Sequence, residues 1–119
     1  TINAGTLQIG AGGATGAITG AIVDNGALVF NTSNSFTLSN TISGTGSLTQ
    51  SGSGTVTISG TNTYTGVTTV NSGVLSINSI GNSGTNTALG NSSAAINLGA
   101  GTLQYTGTGH SSARAITLT

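Results

Sequence analysis

The chain has 119 residues, one basic (Arg114), one acidic (Asp24), one histidine and 2 per cent charge overall, against about 25 per cent in an ordinary soluble domain. That excludes duplex nucleic acid as a partner, because binding it takes several Lys or Arg to neutralise phosphates, and it argues against an anionic membrane surface for the same reason. With no cysteine there is neither a disulfide nor a thiolate metal site, and no stretch has the roughly 18 apolar residues of a membrane-spanning helix, so no membrane insertion by this segment is expected.

Twenty-one glycines and abundant Ser, Thr and Asn suggest a linker, but apolar residues reach 34 per cent and mean hydropathy is +0.24. Disordered chains are poor in β-branched and apolar residues and are usually charged. Here those residues recur on a pattern, which favours a folded chain.

The pattern is a phrase, Gly-x-Φ-x-Φ with Φ apolar. In chain order it reads Gly5-Thr-Leu-Gln-Ile9, Gly26-Ala-Leu-Val-Phe30, a weaker Gly46-Ser-Leu-Thr-Gln50, Gly54-Thr-Val-Thr-Ile58, Gly73-Val-Leu-Ser-Ile77 and Gly101-Thr-Leu-Gln-Tyr105. Phe36-Thr-Leu38, Ile96-Asn-Leu98 and Ile116-Thr-Leu118 are shorter apolar-polar-apolar fragments. Residues two apart share one face of a strand, so each phrase predicts a short strand with one apolar and one hydroxyl-rich face. No segment carries the period of a helix.

The phrase glycines stand at positions 5, 26, 46, 73 and 101, so the phrase returns at intervals of between about 20 and 30 residues, and periods of 20 to 50 residues indicate a repeat architecture. The expectation is all-β: a right-handed parallel β-helix (β-solenoid) of about five to six coils of roughly 20–28 residues, the hand following the rule for parallel crossovers. A longer echo lies over this period. Thr1-Ile-Asn-Ala-Gly-Thr-Leu-Gln-Ile9 returns as Thr69-Val-Asn-Ser-Gly-Val-Leu-Ser-Ile77, and Phe36-Thr-Leu38 returns, after a wider interval, as Ile116-Thr-Leu118. The mismatch predicts an insertion of about 12 residues in the second copy, near Gly81–Asn86. The tandem phrases over 46–60 read as two strands of one coil.

Such a solenoid explains the missing charge. Coils stack about 4.8 Å apart, so a charge repeated at one position would face its like in every coil. Thr, Ser and Asn stack on themselves through hydrogen bonds.

Gly44-Thr-Gly-Ser-Leu-Thr-Gln-Ser-Gly-Ser-Gly-Thr-Val-Thr-Ile-Ser-Gly60 followed by Thr61-Asn-Thr-Tyr-Thr-Gly-Val-Thr-Thr-Val-Asn-Ser-Gly-Val-Leu75 resembles the autotransporter-associated β-strand repeat. Residues 44–77 carry the best match, 1–43 the less regular coils and 78–119 the start of the next copy, all in one solenoid segment of a longer repeat protein. Gln50, where the family often has Lys, and Val67, where it often has Gly, depart from the pattern. The resemblance implies a passenger region, secreted through the bacterial outer membrane and folded as a β-helix at the cell surface. It carries no catalytic residues to this chain.

Chemistry is sparse. Asp24 and the His110/Arg114 pair fall three to four coils apart, roughly 14–19 Å along the axis, too far for a nucleophile, base and orienter to meet. Two-carboxylate glycosidase chemistry needs a second acid. Calcium would need an Asp in each repeat, and one histidine supplies one zinc ligand. The expectation is no enzyme, no catalytic residue, no cofactor and no metal. Asp24 reads as a turn residue, His110 as a solvated loop residue, Arg114 as lying on a wet face with no partner, Tyr64 as a structural corner residue and Tyr105 as core packing. Two functions compete: a structural stalk or fibre module whose coils stack end to end or laterally, and an adhesive module whose Ser/Thr/Asn faces contact a host or neighbouring cell. The scattered Thr-x-Thr pairs, such as 55/57 and 63/65, do not recur once per coil, which weighs against an ice-binding array.

Overall fold

A computed structural model describes residues 1–14 and 16–119. Twelve short strands run β1 (Thr6–Ile9), β2 (Ile22–Val23), β3 (Ala27–Phe30), β4 (Phe36–Leu38), β5 (Ile42–Ser43), β6 (Ser47–Gln50), β7 (Thr55–Ile58), β8 (Thr68–Val70), β9 (Val74–Ile77), β10 (Ile96–Leu98), β11 (Thr102–Tyr105) and β12 (Ile116–Leu118). They form three sheets, ordered β1-β3-β6-β8-β10-β12, β4-β7-β9-β11 and β2-β5, and every strand pairing is parallel. The chain is an all-β solenoid of about six turns. Among the described residues no helix is long and apolar enough to cross a membrane.

Register gives the turn length. In the first sheet Leu7 pairs with Leu28, Leu28 with Leu48, Leu48 with Thr68, Thr68 with Ile96 and Ile96 with Ile116. Those partner numbers advance by nearly the same step each time, except from Thr68 to Ile96, where one turn is longer. A backbone ladder follows each strand upward: the amides of Asn31, Ser51, Asn71, Gly99 and Thr119 donate to the carbonyls of Ile9, Phe30, Gln50, Val70 and Leu98 at 2.8–3.0 Å. The alternation in each phrase now has a physical role. One alternate set builds the inward columns Leu28–Leu48–Thr68–Ile96 and Phe30–Gln50–Val70 in the first sheet and Val56–Leu75 and Ile58–Ile77 in the second, all buried.

Two expectations are corrected. The glycines 5, 26, 46, 73 and 101 do not lie in one column. Gly5, Gly26 and Gly46 precede strands of the first sheet, whereas Gly73 and Gly101 precede β9 and β11 of the second. Both faces use the same phrase, so the interval from Gly46 to Gly73 joins one turn to a change of face. The longer echoes likewise match β1 with β9 and β4 with β12, strands of different sheets. The insertion is therefore shorter than the echoes imply, because it is measured within one sheet by the excess of the Thr68-to-Ile96 step over the Leu48-to-Thr68 and Ile96-to-Ile116 steps. Its extra length lies between β9 and β10 and brings its own core residues, Ala88 and Leu89, both fully buried. The tandem phrases over 46–60 do form β6 and β7, consecutive strands on two faces.

Glycine is required where turns touch. A Cβ at Gly66 would stand 1.9 Å from the carbonyl oxygen of Gly46, one turn below. Gly73 has φ +60°, and a Cβ there would meet the carbonyl oxygens of Gly52 and Gly54 at 2.4 Å.

Two substitutions check this packing. Leu75→Ala empties a position between Val56 and Leu103 and is expected to lower unfolding free energy by about 2–5 kcal/mol in urea. Gly66→Ala is expected to cost about 1–3 kcal/mol through overpacking. Wild-type stability in either variant would refute the assigned column.

Candidate functional site

Polar side chains buried inside the solenoid are few, and they include Asp24, Gln50, Asn62 and Thr68. Asn62, between β7 and β8, is fully buried and binds three ways: its Oδ1 accepts from Ile42 N at 2.8 Å, its Nδ2 donates to Ala88 O at 2.8 Å, and its backbone amide donates to Thr87 O at 3.0 Å. One side chain thus joins the turn below to the inserted loop above. Nothing in the sequence beyond its place in the Gly60-Thr-Asn-Thr-Tyr64 phrase marks it for this role.

Tyr64 follows, fully buried, its hydroxyl 2.7 Å from Thr68 Oγ1. Burial pushes its pKa up to about 12, against the opposing effects of the Thr68 hydrogen bond and the Arg114 charge. The phenol is a structural hydrogen-bonding group, as the sequence suggests.

Asp24 lies just before the turn rather than in it: its backbone bridges Ile2 in parallel, its Oδ1 accepts from Gly26 N at 3.0 Å, and it is 1 per cent exposed. Gly46 makes room for it: a Cβ there would lie 2.3 Å from the carboxyl carbon. Burial raises the pKa above the ordinary 3.8, and the hydrogen bond from Gly26 opposes this.

Arg114 corrects the expectation of an unpartnered wet-face residue. Its Nη1 donates to Leu89 O at 3.0 Å and its Nη2 to Ala94 O at 3.2 Å, so the guanidinium clasps the inserted loop from above as Asn62 does from below. Burial lowers its pKa. These carbonyls come from the inserted turn, so no sequence period reveals them.

Tyr105 is likewise not core packing. It pairs with Ile77 and continues that inward column, but β11 is the outermost strand of its sheet and the ring stays 40 per cent exposed. Its hydroxyl meets His110 Nδ1 at 2.6 Å, with the rings edge to face at 5.9 Å. His110 is therefore exposed yet held, rather than freely solvated. Asp24 lies between β2 and β3, and His110 and Arg114 lie between β11 and β12. Among the described residues no three His, Cys, Asp or Glu side chains form a metal-binding group.

With the buried polar groups and the columns placed, the comparison with family models is decisive for one stretch. Residues 48–77 match the passenger-associated-transport-repeat, a repeat of autotransporter passengers. The transport repeat spans β6 to β9 and holds a continuous part of the core: Leu48, Gln50, Val56, Ile58, Asn62, Tyr64, Val70, Leu75 and Ile77 are each at most 1 per cent exposed. Gln50, which departs from the resembled pattern, sits in the column between Phe30 and Val70 and donates from Nε2 to Gly52 O and Gly54 O, both at 3.0 Å. Comparisons with curated proteins and with solved structures gave no match.

Asp24 makes an unusual pH dependence. A carboxyl whose folded pKa lies above its unfolded value contributes stability that is complete below the unfolded pKa and lost as pH rises through the folded one. Stability should therefore increase as pH falls from neutral toward about 4, and Asp24→Asn should abolish that gain in chemical denaturation at several pH values. An Asn62→Ala variant should lose about 1–3 kcal/mol for each of the two groups orphaned, with amide exchange rising first around Ala88.

Proposed function

We propose that this chain is a rigid structural module of an autotransporter passenger, a spacer at the cell surface whose turns stack on further solenoid turns, including those of a second copy. The observation that supports this reading best is the transport repeat at 48–77 lying inside an unbroken run of parallel turns. Passengers of this kind are secreted or surface-displayed. A solenoid of this type gains stability from each turn and each interface with the next, so it lengthens without a new core. The chain's largest dimension is 34 Å.

The stacking has a register. Among the described residues, four of the five exposed large apolar side chains lie on outermost strands: Leu7 on β1, Tyr105 on β11, and Ile116 and Leu118 on β12. Leu7 and Ile116 end one inward column, Ile9 and Leu118 the adjacent one. A second copy placed with β1 on β12 continues both columns and pairs two open strand edges, which otherwise invite association. The near absence of charge leaves nothing to repel it. Because head-to-tail contacts of this kind do not close, they build filaments.

Electron microscopy of the purified chain tests this. Rods longer than the 34 Å molecule, with a layer repeat near about 4.8 Å, shortened by Leu118→Asp, are expected. Single particles at every concentration, unchanged by that substitution, would rule out stacking.

A further inference from the structure

Above the inserted turn the surface sinks into a pocket of about 380 Å³ lined by Asn82, Ser83, Ser93, Ala113, Arg114 and Ala115. Its contents are one-sided. Arg114 is the chain's single Lys or Arg. The two carbonyls that hold its guanidinium orient it without neutralising it, and Asp24, the one acidic side chain, is buried between β2 and β3 on a different turn. Asn82 turns its Oδ1 inward to accept from Ala113 N at 2.7 Å, which leaves its Nδ2 as a donor. Among the described residues no protein acceptor takes that donor or the hydroxyls of Ser83 and Ser93, and all three side chains are exposed. Arg114, an amide donor and two hydroxyls thus line one hollow that holds no carboxylate side chain, and of the guanidinium nitrogens Nη1 and Nη2 each bind a carbonyl while Nε is buried without a partner among the described residues.

We infer that this pocket binds a carboxylated sugar unit, its carboxylate on the Arg114 guanidinium and its hydroxyls on Asn82, Ser83 and Ser93. The volume falls within the range of small-molecule sites, and a guanidinium–carboxylate contact is among the stronger hydrogen bonds available. A neutral sugar would leave the cation unmatched, and a bare carboxylate would leave the rim unused.

The test is an amide-resolved NMR titration of the whole chain with sodium galacturonate, sodium acetate and glucose at constant ionic strength. Saturable shifts confined to Asn82, Ser83, Ser93 and residues 113–115 are expected with galacturonate, at least tenfold tighter than with acetate, and none with glucose. Arg114→Gln should abolish them. Since that variant also releases the loop carbonyls, Ser93→Ala provides a second reading: several-fold weaker binding at unchanged thermal stability. Absence of saturable shifts, equal affinity for acetate, equal affinity for glucose, or unchanged binding in Ser93→Ala at wild-type stability would each overturn the inference.

Discussion

Everything in this molecule depends on placing a residue directly over its equivalent in the turn below. Parallel pairing from turn to turn satisfies backbone donors and acceptors, and it also dictates composition. Whatever stands at one position must tolerate a copy of itself, or something similar, about 4.8 Å away. Leu over Leu does so by packing, as Leu28 over Leu48 shows, and Thr over Thr does so on the wet face, as at Thr49 and Thr69. A repeated charge does not. The near absence of Lys, Arg, Asp and Glu therefore follows from the fold.

The exceptions occur where periodicity fails. The long turn from Thr68 to Ile96 needs fastening because its extra chain has no equivalent above or below, and side chains supply it: Asn62 from beneath, Arg114 from above and Ser79, whose hydroxyl accepts from Ala88 N at 2.9 Å. The chain's only basic residue is used at that interruption. Asp24 occupies a space that glycine opens at position 46, and its single hydrogen bond leaves burial to dominate its titration.

Much of this was readable from the residues. The alternation of Leu7 with Ile9 or Val56 with Ile58 follows from strand geometry, and the tandem phrase over 46–60 marked two strands of one turn. The face to which a strand belongs was not readable, because both sheets use Gly-x-Φ-x-Φ and a count of glycines steps from one to the other at Gly73. Exposure at the edges was not readable either. Tyr105 obeys the same inward pattern as Ile77, yet it lacks a strand beyond it. The partners of Arg114 and Asn62 are main-chain carbonyls and amides, which carry no residue identity and leave no trace in the sequence.

The most direct test of the account is the register itself, and a chain without cysteine suits it. In the observed register Thr49 stands beside Thr69 on adjacent parallel strands, whereas the glycine interval from 46 to 73 would put Thr49 beside Ser76. Paired Cα atoms in neighbouring strands lie within the roughly 4.4–6.8 Å that a disulfide spans. Under mild oxidation the Thr49→Cys/Thr69→Cys double variant should crosslink within one chain, and the Thr49→Cys/Ser76→Cys double variant should stay reduced. The reverse outcome would contradict the stacked columns on which the rest of the account depends.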